Sequence, residues 1–257
     1  MSVIEVNNIS MSFGGVKAVS EVRMKIEHGE IVGLIGPNGA GKTTFFNLLT
    51  GIYNPTEGEI VYKFDEEVHP SKIKPYQIAS SGIARTFQNI RLFGEMTVEE
   101  NIRVGFHKNI EYKLFSSLFR TSSYYKEEEK ANKKVKELLQ VFNLYDKKEE
   151  LAKNLPYGEQ RRLEIARALA ADPKILLLDE PAAGMNPNET NELMNLIKWI
   201  RDKFNITIIL IEHDMSLVMP VCSKIYVLDY GRLIAKGTPE EIQSNPEVIR
   251  AYLGGEN

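Results

Sequence analysis

Gly36-Pro37-Asn38-Gly39-Ala40-Gly41-Lys42-Thr43, with Thr44 after it, has the spacing of a loop that cradles phosphate. Gly36, Gly39 and Gly41 let the backbone curl until its N–H groups converge on phosphate oxygens. An apolar strand from Ile31 to Ile35 leads in, and a helix from about Gly41 to Thr50 leads out. That helix start adds its positive end to the cradle. Lys42 supplies a point charge for the β- and γ-phosphates, and the Thr43 hydroxyl is a Mg²⁺ ligand. A plain glycine-rich turn is the alternative, but it would not require a strand before it and a helix after it.

Far downstream, the apolar run "ILLLDE" carries Asp179 and Glu180 to the carboxyl edge of a strand, where open α/β sheets bind ligands. Asp179 is placed to hold Mg²⁺, directly or through water. Glu180 is placed to polarise an attacking water as a general base. A helix cap after a strand is the structural alternative for this pair.

Such chemistry needs a scaffold to position it. Short strands are expected at Val3 to Ile9, Val22 to Ile26, Glu59 to Tyr62, Ile175 to Leu178, Ile206 to Ile211 and Ile225 to Leu228. Several are apolar without alternation, which predicts burial on both faces in a parallel sheet under helices. Helices are expected at Tyr124 to Phe142, Arg161 to Ala171 and Glu189 to Phe204, with a hairpin turn at Tyr230-Gly231. "KEEEKANKKVKELL" reads as a solvated helix face with i,i+4 pairs rather than a nucleic-acid site.

The chain has 257 residues, a net charge of −3 and one cysteine, Cys222, expected to be an inert buried thiol. A disulfide scaffold is excluded, a reducing compartment fits, and no global basic signal for nucleic acid exists. The first residues lack a signal-peptide pattern, and "ITIILI" is far too short to span a bilayer, so a soluble chain is expected.

Together, "GPNGAGKTT", "RTFQ", "LPYGEQRRLEIARAL", "LLLDEP" and "IEHD" resemble the ATPase subunit of ABC transporters over essentially the whole chain. The resemblance implies one P-loop ABC-type ATPase domain over 1–257: a mostly parallel core sheet with an N-terminal antiparallel β subdomain and a helical insertion. The nucleotide-binding core would span 1–87 and 166–237, the helical subdomain 88–165, and C-terminal helices 238–257. ATP and Mg²⁺ are the implied ligands.

By the same resemblance Phe13 stacks on adenine, with core packing as its alternative. Gln88 touches Mg²⁺ and the attacking water, and His213 contacts the γ-phosphate. "LPYGE" is implied to be a signature segment that binds the ATP of an opposite subunit through Tyr157, Gly158 and Glu159. Here it departs from the family. Pro156 replaces a serine, Tyr157 a glycine and Glu159 a glutamine. A lost hydrogen bond to phosphate costs about 1.5–3 kcal/mol, so an asymmetric pair with one weaker ATP face is expected. Pro156 as simple punctuation before a helix is the alternative. Asn186 stands where many members of the family have Asp.

"RTFQNIRLFGEMTVEENIRVGFH", "DEPAAGMNP" and "GTPEEIQSNPEVIRAYLG", with an extra loop around Lys108 to Ser123, resemble the ATPase subunits of branched-chain amino-acid importers. The implied partners are a second ATPase subunit (a different chain or a second copy), membrane permeases and an extracellular binding protein. Nucleic acid is not among them. The chain would sit peripherally on the cytoplasmic face of the membrane. Leu92, Phe93 and Met96 are expected to form an apolar groove for a permease helix, with packing inside the helical insertion as the alternative. Urea, amides and other amino acids use similar machinery, so the solute stays open. A soluble ABC-type ATPase acting on nucleic acid or ribosomes would carry two such units or a long coiled-coil insertion. A GTPase would carry N-K-x-D. An ATP-binding module without catalysis would not need Glu180 and His213.

Overall fold

In the computed structural model, residues 1–106 and 122–253 are described. The chain divides into two compact units: Met1–Arg85 with Lys174–Asn257, and Thr86–Pro173.

The first unit holds two sheets. In the smaller, β1 (Ser2–Phe13) pairs antiparallel with β2 (Val16–Glu27) and with β4 (Glu57–Lys63), and β5 (Glu67–Val68) extends the edge. Alternation along β2 places Val22, Met24 and Ile26 inside and leaves Glu21, Arg23 and Lys25 to solvent.

The larger sheet has the order β10-β9-β3-β8-β7-β6. Its members are β3 (Ile31–Ile35), β6 (Ile83–Arg85), β7 (Ile175–Asp179), β8 (Thr207–Ile211), β9 (Lys224–Asp229) and β10 (Arg232–Gly237). All pairings are parallel except β9–β10. Every residue of β3, β7 and β8 is buried, as the unbroken apolar runs require. The antiparallel pair turns through Tyr230 (φ 42°) and Gly231 (φ 78°), the expected hairpin, with both residues in the left-handed region.

The helices of this unit are α1 (Lys42–Leu49), α2 (Pro75–Ser80), α6 (Pro187–Phe204), α7 (Met215–Val218), α8 (Pro239–Gln243) and α9 (Pro246–Leu253). Phe45, Phe46, Leu48 and Leu49 of α1 join Ile4, Ile26, Leu34 and Leu228 from both sheets in one core. That core anchors the helix whose first turn must face phosphate. Asn186 caps α6, accepting from the N–H groups of Asn188 and Glu189 at 3.0 Å each. An amide does this as well as a carboxylate. Cys222 is buried and its pKa is pushed up to about 12 by that burial, as expected of an inert thiol.

The second unit is helical: α3 (Val98–Phe106), α4 (Ser122–Val141) and α5 (Tyr157–Ala170). Val135, Leu138, Leu139 and Phe142 form its apolar stripe, each at most 1 % exposed. The helix expected to start at Arg161 starts one turn earlier, at Tyr157, and the unit continues to Pro173. The extra loop around Lys108 to Ser123 lies, up to residue 121, outside the described residues.

Candidate functional site

The phosphate loop is built by close approach. Gly36 has φ 151°, and a Cβ there would lie 2.0 Å from the Leu228 carbonyl oxygen. Gly41 has φ 98°, and a Cβ there would lie 2.5 Å from the Ala18 carbonyl oxygen. Only glycine lets the loop pass between β9 and β2 at these two points. Gly231 donates its N–H to the Ala40 carbonyl at 3.0 Å, fastening the loop to the β9–β10 turn.

Lys42 is 7 % exposed and folds back on the loop. Its Nζ donates to the carbonyls of Gly36 at 2.6 Å and Pro37 at 2.9 Å. Burial pulls its pKa below the ordinary lysine range, while the charges of Glu180 and Asp179 oppose that. The ammonium therefore sits within the field of both carboxylates. Thr43 is exposed at the helix start and Thr44 half-buried.

Asp179 ends β7, and its Oδ2 accepts from Arg85 Nη2 at 2.8 Å. Glu180 follows with φ 46°, a left-handed backbone held by its N–H donating to Ile211 at 3.0 Å. A non-glycine residue adopts that conformation at a cost in strain. Its Oε2 lies 4.0 Å from His213 Nδ1, and His213 is 59 % exposed. The structure thus brings the loop, Asp179, Glu180 and His213 together. Hard oxygen donors on Thr43 and Asp179 suit Mg²⁺ rather than a softer ion.

A cavity of about 780 Å³ opens at this place, lined by the loop from Gly36 to Ala40, by His213 and by Glu247, Arg250 and Tyr252 of α9. The Tyr252 hydroxyl is buried beside Gly36, and burial pushes its pKa up to about 12. A hollow of similar size, about 700 Å³, is lined by Glu5, Arg23, Lys25, Glu27 and Lys224. Its charges pair locally, as Lys224 with Glu30 at 3.0 Å and Glu5 with Lys63 at 2.7 Å, and nothing there converges on an anion. Phe13 lies at the end of β1, 43 % exposed, with its ring edge-on to Tyr53 at 5.2 Å.

The remaining expected residues belong to the second unit. Pro156 is the cap residue of α5 and offers no side-chain hydrogen bond, so the first-turn N–H groups lack a cap. Tyr157 is exposed, Gly158 is buried, and Glu159 pairs with Lys147 at 2.7 Å. Leu92 is half-buried, while Phe93 and Met96 are 48 % and 38 % exposed.

One residue that holds this unit together escaped the sequence. Arg161 is fully buried. Its Nη1 donates to the Phe87 carbonyl at 2.6 Å and to Glu164 at 2.8 Å. Its Nη2 donates to the Gln88 carbonyl at 2.7 Å and the Tyr157 hydroxyl at 3.3 Å. Glu164 in turn accepts from the Arg91 N–H at 3.1 Å. The Gln88 segment and the start of α5 are thereby stitched together. The signal was the i,i+3 pairing of Arg161 with Glu164, which reads on a sequence as a surface pair.

Glu212 was also missed, hidden inside "IEHD". It is 1 % exposed, accepts from the Ala182 N–H at 3.1 Å and lies 3.8 Å from His213 Nδ1. Burial raises its pKa above the ordinary carboxylate value. The folded chain therefore keeps this proton over a window in which the unfolded chain has released it. Stability from this group is present below the unfolded pKa and is lost as pH rises through the folded one. Glu212→Gln is expected to lessen the fall in Tm as pH rises above the ordinary carboxylate pKa, measured by thermal unfolding.

The family described as "ABC transporter" matches residues 19–183. The chain belongs to the ABC transporter family. A second match, described as "Branched-chain amino acid ATP-binding cassette transporter", covers residues 232–256. This ABC cassette is 50 % identical over 98 % of both chains to the high-affinity branched-chain amino acid transport ATP-binding protein LivG of Escherichia coli K12. It is 46 % identical, again over 98 % of both, to BraF of Pseudomonas aeruginosa, which has the same description. Its fold is similar to the crystal structure of the ADP conformation of MJ1267, an ATP-binding cassette of an ABC transporter. The TM-score is 0.84 and the identity 31 %, over 99 % of both chains. The P-loop ABC fold and the ATP-hydrolysing class read from the sequence hold. Among the described residues no helix is long and apolar enough to cross a membrane.

Proposed function

We propose that this chain is the ATP-hydrolysing subunit of an ABC importer for branched-chain or related amino acids. The carrying observation is that Lys42, Asp179, Glu180 and His213 gather at the phosphate loop, beside a cavity lined by that loop and His213, in a chain half identical to LivG.

The loop N–H groups and Lys42 bind the β- and γ-phosphates of ATP. Thr43, Asp179 and Gln88 hold Mg²⁺, which when bound offsets phosphate charge. Phe13 stacks on adenine. Glu180 takes the proton of the attacking water, and His213 contacts the γ-phosphate. Catalysis is then positioning plus electrostatics, with proton transfer as the one covalent task of the protein.

Tyr157, Gly158 and Glu159 cap the ATP held by a second ATPase subunit. Pro156 removes a donor there, so the two ATP faces of the pair differ in strength, which favours a partner of different sequence over a second copy. Leu92, Phe93 and Met96 receive a permease helix. The chain then acts peripherally at the cytoplasmic face, beneath permeases fed by an extracellular binding protein. A pI of about 5.9 offers nothing to nucleic acid.

The test is reconstitution of the chain with its second ATPase subunit and permeases in liposomes, with binding protein outside. ATP turnover should rise when the binding protein carries leucine, isoleucine or valine, and labelled amino acid should enter. Turnover indifferent to binding protein, with no uptake, would overturn the reading.

A further inference from the structure

We propose that Arg85 is a positioning residue for the Mg²⁺ ligands: it ties the strand bearing Asp179 to the helix bearing Thr43. This rests on the function proposed above and concerns a residue to which that reading gives no role.

β6 and β7 run parallel with Arg85 opposite Leu177, so Asp179, two residues on, shares the face of Arg85. The guanidinium then forks. Nη2 donates to Asp179 Oδ2 at 2.8 Å, and Nη1 donates to Asn47 Oδ1 at 2.8 Å and Thr50 Oγ1 at 3.3 Å. Its carbon lies 5.4 Å from the centre of the Phe46 ring. Arg85 and Asp179 are 7 % and 5 % exposed, so the pair is shielded from water and salt. Asn47 and Thr50, the C-terminal cap of α1, follow Thr43 by four and seven residues, which places all three along one stripe of the helix and its cap.

A single planar group therefore connects the stripe that begins with the Thr43 hydroxyl to the carboxylate at the end of β7. Arg85 commits Oδ2 of Asp179 and so fixes the orientation of a carboxylate that would hold the ion. Lysine could keep the charge but not the fork. Removing hydrogen-bond partners of metal ligands typically weakens metal affinity about 10–100-fold.

The experiment titrates MgCl₂ into the purified chain with a fluorescent ATP analogue and follows nucleotide affinity. For Arg85→Met, the Mg²⁺ concentration giving half of the affinity gain should rise about 10–100-fold. Affinity in EDTA should stay within about twofold, because the loop and Lys42 remain. Arg85→Lys should fall between. Asn47→Ala removes one anchor on α1 while leaving Asp179 paired, and it should shift Mg²⁺ half-saturation in the same direction. It serves as the test if circular dichroism shows Arg85→Met unfolded. Half-saturation within about twofold of the parent, or lower than the parent, overturns the proposal. A parent chain whose nucleotide binding ignores Mg²⁺ overturns instead the function on which it rests, and this inference with it.

Discussion

Glu180→Gln is expected to cut ATP turnover of the assembled pair by about 10²–10⁴-fold. ATP affinity should stay within about twofold. The amide has the size of the carboxylate but takes no proton. The left-handed backbone at this residue and its hydrogen bond to Ile211 do not involve the side chain. Lys42 loses one of two opposing charges, which is why a small change in affinity is allowed. Phosphate release measured beside equilibrium binding separates the effects. A loss of binding equal to the loss of turnover would mean that Glu180 shapes the loop rather than handling water.

Gly36→Ala should abolish nucleotide binding, and here the cause lies in the backbone. A methyl group 2.0 Å from the Leu228 carbonyl cannot be accommodated unless the loop or β9 moves. Together with the left-handed φ, the cost is about 3 kcal/mol or more. For a chain of this size that lowers Tm by roughly 2–4 °C per kcal/mol. Gly39→Ala is the informative contrast, since a Cβ there meets nothing within 4 Å and carries only the strain of φ 80°. Its Tm without nucleotide should fall by far less. Equal falls in thermal unfolding would show that packing of the loop against β9 is not what selects glycine at residue 36.

The phosphate loop and the apolar strands were legible because each is a local pattern. Ile31 to Ile35 was bounded correctly since a parallel strand buried on both faces must be apolar throughout. β6 was invisible: three residues, Ile83 to Arg85, with the last one charged, carry too little periodicity. Yet it is β6 that brings Arg85 to Asp179. The role of Arg161 was illegible for a related reason. An arginine beside acidic residues at helical spacing reads as solvated, and its burial is tolerable because the backbone carbonyls of Phe87 and Gln88, some seventy residues away in sequence, accept from it together with Glu164. The place of α9 at the phosphate cavity likewise depends on contacts distant in sequence. Side chains that touch substrate announce themselves by motif, whereas those that hold them in place are recognised only through their neighbours.

Glu180 holds φ at 46°, a backbone that strains a side chain by about 1 kcal/mol or more and that glycine adopts freely. The position is therefore occupied by a poor residue for durability and a good one for proton transfer. Laboratory evolution rewarding heat resistance alone would drift toward glycine at residue 180, yielding a hardier protein that burns no fuel.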